Sequence, residues 1–342
     1  MPTPPKRATI MNVATEAGVS KSLVSLAFKD PSKVSDERLK RIRTAADKLN
    51  YSPSFVAQTL TSQSSPFVGI LVLDLHNPIF IEVANAVRRT LAQYGEFGLI
   101  MSGSEESSDQ PGRPYGTLDS QVLHMLQSLR PKALIVVGTA NQEKELPAGI
   151  PIIYASAAAA TSSHHTCVRA DDMAGMELLI DHLTNLGHQS IAFAAGSSSE
   201  VTKERQEAYE NLLASRGLKP TILTGDYTET GGYQAGKALL EIEPRPSAVI
   251  AVNDLSALGL IRAAEEAGVQ VPEDLAVAGF DNIQLTGIPR ISLTSVDPDK
   301  AKIGELAALA AMEGIARGTT RVELLEVAPR LMARTSTLGA GI

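Results

Sequence analysis

The chain has 342 residues, 44% of them hydrophobic and 20% charged, the composition of a globular protein and the length of two or three domains. One cysteine, Cys167, excludes an internal disulfide framework and reads as a small buried thiol. The N-terminus lacks the apolar run of a secretory signal, and no stretch approaches the roughly twenty apolar residues of a membrane span, so the chain is expected in the cytoplasm. Charge is unevenly divided. Residues 1–63 hold ten Lys and Arg against five acids, a net of +5; the whole chain carries −7, which leaves −12 on the rest. A basic head on an acidic body suits a polyanion-binding module confined to the head.

From the N-terminus, two short apolar-periodic segments are broken at Ala17-Gly18-Val19-Ser20. Thr9 is placed to cap the first helix, Gly18 permits the turn, and Ser20 can cap the second, because hydroxyl oxygens accept the free amides at helix starts. A tight glycine turn between two helices is either a helix-turn-helix for the DNA major groove or an ordinary core hairpin. A third helix is expected over 35–49: Ser35 caps it, Asp36 and Glu37 suit its dipole, and Val34, Leu39, Ile42, Ala46 and Leu49 close a three-helix core. Tyr51-Ser52-Pro53 breaks the chain, residues 54–60 could form one more short helix, and 61–66 read as a polar linker.

Beyond Pro66 apolar strands are legible at 67–73, 97–101, 133–137, 150–154, 190–194, 248–252 and 275–279. Helical patterns lie between them at 79–94, 118–129, 174–186, 204–216, 232–241 and 255–267. This alternation predicts two α/β units of doubly wound parallel sheet, divided near 161–168 where Thr-Ser-Ser-His-His interrupts the pattern. Ligands of such sheets bind outside the carboxyl ends of the strands. Asp74, Ser156, Arg205, Asn253 and Asp281 follow strands and are candidates, although each alone also reads as a helix cap or surface residue.

Enzyme signatures are missing. The chain has no G-x-G-x-x-G, no G-x-x-x-x-G-K-[ST] and no G-x-S-x-G, its histidines are scattered apart from His164-His165, and no acid pair stands out. An α/β enzyme stays an alternative without a mechanism. A transported-solute binding protein fits the body but neither the basic head nor the missing signal. No cofactor and no metal are expected.

Several motifs in order resemble the lac-repressor (LacI/GalR) family of bacterial transcription regulators, from about residue 8 to 334. They are Val13-Ala14-x-x-Ala17-Gly18-Val19-Ser20, Leu49-Asn50-Tyr51-Ser52-Pro53 with Val56-Ala57-Gln58-x-Leu60, Leu183-x-x-Leu186-Gly187-His188, Asn253-Asp254-x-x-Ala257-Leu258-Gly259, Val271-Pro272-Glu273-Asp274-Leu275 and Ala278-Gly279-Phe280-Asp281. The resemblance implies a helix-turn-helix head over 1–53, a hinge helix and linker over 54–66, and a type I periplasmic-binding-protein-like body over 67–342. The body's first subdomain would span 67–165 and 297–326, and its second 166–296 and 327–342, with crossings near 166–171, 296–300 and 326–329. A helix over 303–315 would return to the first.

The resemblance also implies roles. Lys21, Ser22 and Ser25 would meet bases or phosphates from the recognition helix, with Thr9, Ser20 and Tyr51 beside them. Leu26 stands where many relatives carry an arginine, which replaces a bidentate guanine reader with an apolar contact. Ser54, Ala57 and Leu60 belong to the implied hinge helix, whose leucine wedges into a minor-groove step. Arg205, Asn253 and Asp281 would contact the effector, with Phe80 of Asn77-Pro78-Ile79-Phe80 near its ring; Asp74, Ser156 and Asp171 also fall at cleft-facing positions. Relatives often have aspartate in place of Ser156, and purine-responsive members an arginine near Ser199. Residues 105–116 look longer than usual. The expected assembly is a homodimer on a pseudo-palindromic double-stranded operator, controlled by a small polar effector such as a sugar. The C-terminal 337–342 is too short for a tetramerising heptad helix.

Overall fold

A computed structural model describes residues 8–52, 65–103, 118–140, 145–158, 164–196, 199–319 and 321–338. The expected hinge segment, with Ser54, Ala57 and Leu60, and the loop 105–116 lie outside them. The chain divides into two compact units, one up to Ser65 and one from Pro66.

The first unit holds α1 (Ile10–Ala17), α2 (Lys21–Lys29) and α3 (Asp36–Lys48). Thr9 and Asn12 form a reciprocal capping box: the Thr9 amide donates to Asn12 Oδ1 at 2.8 Å, and the Asn12 amide to Thr9 Oγ1 at 3.4 Å. Gly18 ends α1 at φ +62°, a left-handed turn that glycine adopts without strain. Arg41 of α3 braces that turn by donating to the Gly18 carbonyl at 3.2 Å. Ser20 caps α2 by accepting from the Leu23 amide at 3.3 Å. Ser35 begins α3, but its side chain makes no capping bond, so the acids Asp36 and Glu37 in the first turn are left to complement the dipole. Val13, Val24 and Ile42, one from each helix, are fully buried at the centre of the core.

The second unit contains two six-stranded sheets among the described residues. The first, in the order β11-β5-β4-β3-β1-β2, is parallel throughout. It comprises β1 (Phe67–Val72), β2 (Phe97–Ser102), β3 (Leu134–Val137), β4 (Ile152–Ala155), β5 (Thr166–Ala170) and β11 (Leu324–Val327). The second, in the order β12-β10-β9-β8-β6-β7, is parallel except for β12 against β10. Its strands are β6 (Ile191–Ala194), β7 (Thr221–Leu223), β8 (Ala248–Ala251), β9 (Ala276–Phe280), β10 (Thr294–Asp297) and β12 (Arg330–Met332). Helices α4 (Pro78–Gln93) and α5 (Ser120–Leu129) serve the first sheet; α6 (Asp172–Asn185), α7 (Glu200–Ser215), α8 (Glu229–Leu240) and α9 (Asp254–Glu266) serve the second. Each sheet is buried on both faces, which explains why its central strands are apolar without alternation.

Among the described residues the chain passes between the subdomains after β5, after β10 and after β11. The long helix α10 (Lys300–Arg317) packs on α4 and the first sheet, and α11 (Thr335–Leu338) on the second. One boundary needs correction. Residues 166–170, expected in the second subdomain, pair with β4 and β11 in the first sheet, because the crossing follows β5 rather than preceding it. β10 went unexpected because Thr294 and Ser295 are polar. They are buried nonetheless, with Thr294 Oγ1 on Thr337 Oγ1 at 2.7 Å and Ser295 Oγ donating to Asp254 at 2.6 Å.

Candidate effector cleft and DNA-reading face

In the head, α2 presents Lys21, Ser22 and Ser25 to solvent while Val24 and Ala27 face the core. Thr9 and Ser20 are exposed at the helix starts, their hydroxyls engaged in capping. Leu26 is half-buried against the head core, so the leucine contributes packing as well as an apolar edge. Tyr51 is half-buried too, its ring edge-on to Phe28 at 5.9 Å. Partial burial raises its phenol above the usual range and keeps it protonated, a donor for phosphate.

In the body, the carboxyl ends of the strands enclose a narrow cleft with about 80 Å³ of free space. Phe80, Ser156, Arg205 and Asp281 line it, together with Asn77, Thr139, Arg169, Asp172, Ser199 and Tyr227. Arg205, on α7, is 7% exposed. Its Nε donates to Asp172 at 2.8 Å and its Nη1 to the Val252 carbonyl, and its guanidinium lies 3.6 Å over the Phe280 ring. No described residue takes a hydrogen bond from Nη2, which leaves one edge of the fork for a ligand. Arg169, 4% exposed, pairs with Asp172 and with Glu204 at 2.6 Å. Burial opposes its charge, but the two carboxylates more than offset this. Tyr227 sets the wall: its hydroxyl meets Ser199 Oγ at 2.8 Å and Thr202 Oγ1 at 2.7 Å.

Two lining groups keep hydrogen-bonding capacity for a ligand. Ser156 sits at φ +53°, and its buried Oγ has no hydrogen bond although it lines the cleft. Asp281 is 4% exposed at φ +110°, and no cation among the described residues comes within ion-pair reach of it. Burial raises its carboxyl to about 7, against the pull of Arg205, Lys300 and a hydrogen bond from Asn77. Asp254 behind it is raised well above the usual range by burial and by Asp281, despite bonds from Ser295 and the Ile283 amide. A carboxyl raised on folding binds a proton that the unfolded chain has lost, so between about pH 4 and 7 stability falls as pH rises. The urea midpoint should therefore increase from about pH 8 to about pH 6, and Asp281→Asn should shrink that increase. An unaltered increase in the variant would show that Asp281 does not titrate.

Three sequence candidates lie elsewhere. Asn253 is spent on structure: its Oδ1 caps α9 through the Ser256 amide at 2.9 Å and its Nδ2 donates to the Tyr227 carbonyl at 3.0 Å. Asp74 turns back to accept from the His76 amide at 2.7 Å and is not among the lining residues. Asp171 likewise caps α6 through Ala174. Sequence reasoning missed Asn77, Thr139, Arg169, Asp172 and Tyr227. The legible signal was Arg169 within an otherwise apolar strand, since a buried arginine requires partners.

The family model described as bacterial regulatory proteins, lacI family, matches residues 9–54, and a periplasmic binding protein-like domain matches 180–337. The chain is 30% identical to the HTH-type transcriptional repressor PurR of Aliivibrio fischeri (strain MJ11), over 97% of this chain and 98% of the relative. It is 29% identical to the ribose operon repressor of Escherichia coli (strain K12), over 96% and 99%. Among solved structures, a LacI transcriptional regulator from Rhodococcus species matches at a TM-score of 0.70 and 28% identity, over 79% and 98%. The lac repressor dimer bound to operator and the anti-inducer ONPF shares the fold at a TM-score of 0.81 and 24% identity, over 97% and 99%. The chain belongs to the lacI family of bacterial regulatory proteins. It is a DNA-binding transcriptional regulator, with a helix-turn-helix head and an effector-binding body. Among the described residues no helix is long and apolar enough to cross a membrane.

Proposed function

We propose that the chain is a homodimeric repressor that grips a pseudo-palindromic operator and is controlled by a small uncharged polyol, a sugar or sugar derivative, in the cleft. The observation that carries the ligand class is the charge balance of the lining. Arg169 and Arg205 are already matched by Asp172 and Glu204, so no uncommitted cation awaits a phosphate or carboxylate. What remains open is one guanidinium edge, one carboxyl and one hydroxyl on a wall with Phe80, which suits adjacent hydroxyls on an apolar ring. The ribose operon repressor among the relatives supports the same class. Lys21, Ser22, Ser25 and Leu26 would read the major groove, with Thr9, Ser20 and Tyr51 on the backbone.

Selection of bound fragments from a random duplex library, repeated over a salt series and against a panel of neutral sugars, tests the reading. A palindromic consensus with a steep salt slope is expected, and one sugar should change its affinity. A cleft that binds only phosphorylated or carboxylated compounds would refute the ligand class. For the hinge segment, Leu60→Ala should reduce operator affinity and DNA bending while sparing effector binding. Undiminished bending in a circular-permutation gel would remove Leu60 from the minor groove.

A further inference from the structure

The two lobes of the body are tied by an ion pair that no ligand supplies. Arg169 stands on β5 of the first sheet, whereas Glu204 belongs to α7, whose Ala208, Tyr209 and Leu213 lie in the core of the second. Their side chains meet at 2.6 Å. Arg169 also pairs with Asp172, but the two carboxylates are not equivalent. Asp172 follows Arg169 by three residues across a crossing, so that pair tolerates a change of angle between the lobes. Glu204 is reached only while the lobes are together. Across the cleft, Asn77 of the first lobe donates to Asp281 of the second, and Glu82 of α4 accepts from the Gln284 backbone. Lys300, at the second crossing, donates to the Asp281 and Asn282 carbonyls at 2.6 and 2.8 Å and lies 3.9 Å from Glu82.

We propose that Arg169 and Glu204 form a built-in latch that holds the effector cleft shut without a ligand. Opening the cleft trades the Glu204 contact for water on the guanidinium and leaves Asp172 as its companion. Removing the Glu204 charge reverses the preference. Asp172 must then balance both Arg169 and Arg205, and the closed cleft keeps an excess buried cation that opening would hydrate. The latch also explains how a buried arginine can line a site for an uncharged ligand, since its charge is committed across the lobes. This goes beyond the ligand reading above and does not depend on it.

Hydrogen–deuterium exchange on the full chain, with no ligand added, tests the latch. In Glu204→Gln, amides of the cleft-lining segments 77–80 and 199–205 should exchange about tenfold faster, while the core strands β3 and β8 keep their protection. An exchange profile like that of the unaltered chain overturns the latch. Faster exchange throughout the core strands overturns it as well, since that marks general loosening rather than opening. If Glu204→Gln does not accumulate as folded protein, Glu204→Asp, one methylene short of Arg169, is measured against the same two outcomes.

Discussion

Arg205→Met is expected to abolish the effector response and to weaken the body by about 3 kcal/mol, the lower end of the range for breaking a buried ion pair. The lower end applies because Asp172 keeps Arg169 when Arg205 is lost. Methionine preserves length and the apolar contact with Phe280, so the loss isolates the three polar duties of the guanidinium: Asp172, the Val252 carbonyl and the open Nη2 edge. Arg205→Lys separates stability from recognition. An ammonium can keep the Asp172 pair, but it cannot reach a carbonyl and a ligand in the same plane, so stability should largely return while the response stays impaired. Urea unfolding of the two variants, beside the effector-dependent change in operator affinity, gives both readouts. A lysine variant that responds normally would take Arg205 out of direct contact with the effector.

How far the sequence disclosed this arrangement depended on whether one rule or two competed for a residue. In the head, caps and apolar period agree, and Thr9, Gly18, Ser20 and the Val13, Val24, Ile42 core stand where local chemistry puts them. In the body, strands such as β1 and β8 are continuous apolar runs and were legible. β5 was not, because Arg169 interrupts it, and β10 was not, because its polar residues find their partners outside the strand, in the C-terminal segment, in Asp254 and in the Asn282 amide. The cleft shows the sharper limit. Residues after strands are near the ligand pole of the fold, yet the same residues are natural helix N-caps. Asn253 and Asp171 turned back to cap α9 and α6, while Asp172, one position on, turned into the cleft. Only the backbone path decides between those two uses, and no spacing in the sequence encodes it.

Gly259→Ala is expected to cost on the order of 3 kcal/mol, large for one methyl group, because the contact it invades is backbone against backbone. A Cβ at 259 would overlap the Glu229 carbonyl and the Tyr233 amide of α8, and one at 232 would overlap the Ser256 carbonyl of α9. Flexible side chains could yield to such a group, but two helix backbones must separate along their length. The expected consequence reaches the cleft. α9 begins at Asn253 and Asp254, so displacing it loosens the Asn253 hold on the Tyr227 carbonyl and the Asp254 bonds to Ser295 and Ile283 beneath Asp281. Gly287→Ala is the control, since nothing lies within 4 Å of its Cβ position and its φ is not left-handed. It should change stability by less than about 0.5 kcal/mol. Urea midpoints of the two variants compare them directly. Equal, small losses would show that α8 and α9 can part without strain, and that Gly259 does not hold the second lobe in shape.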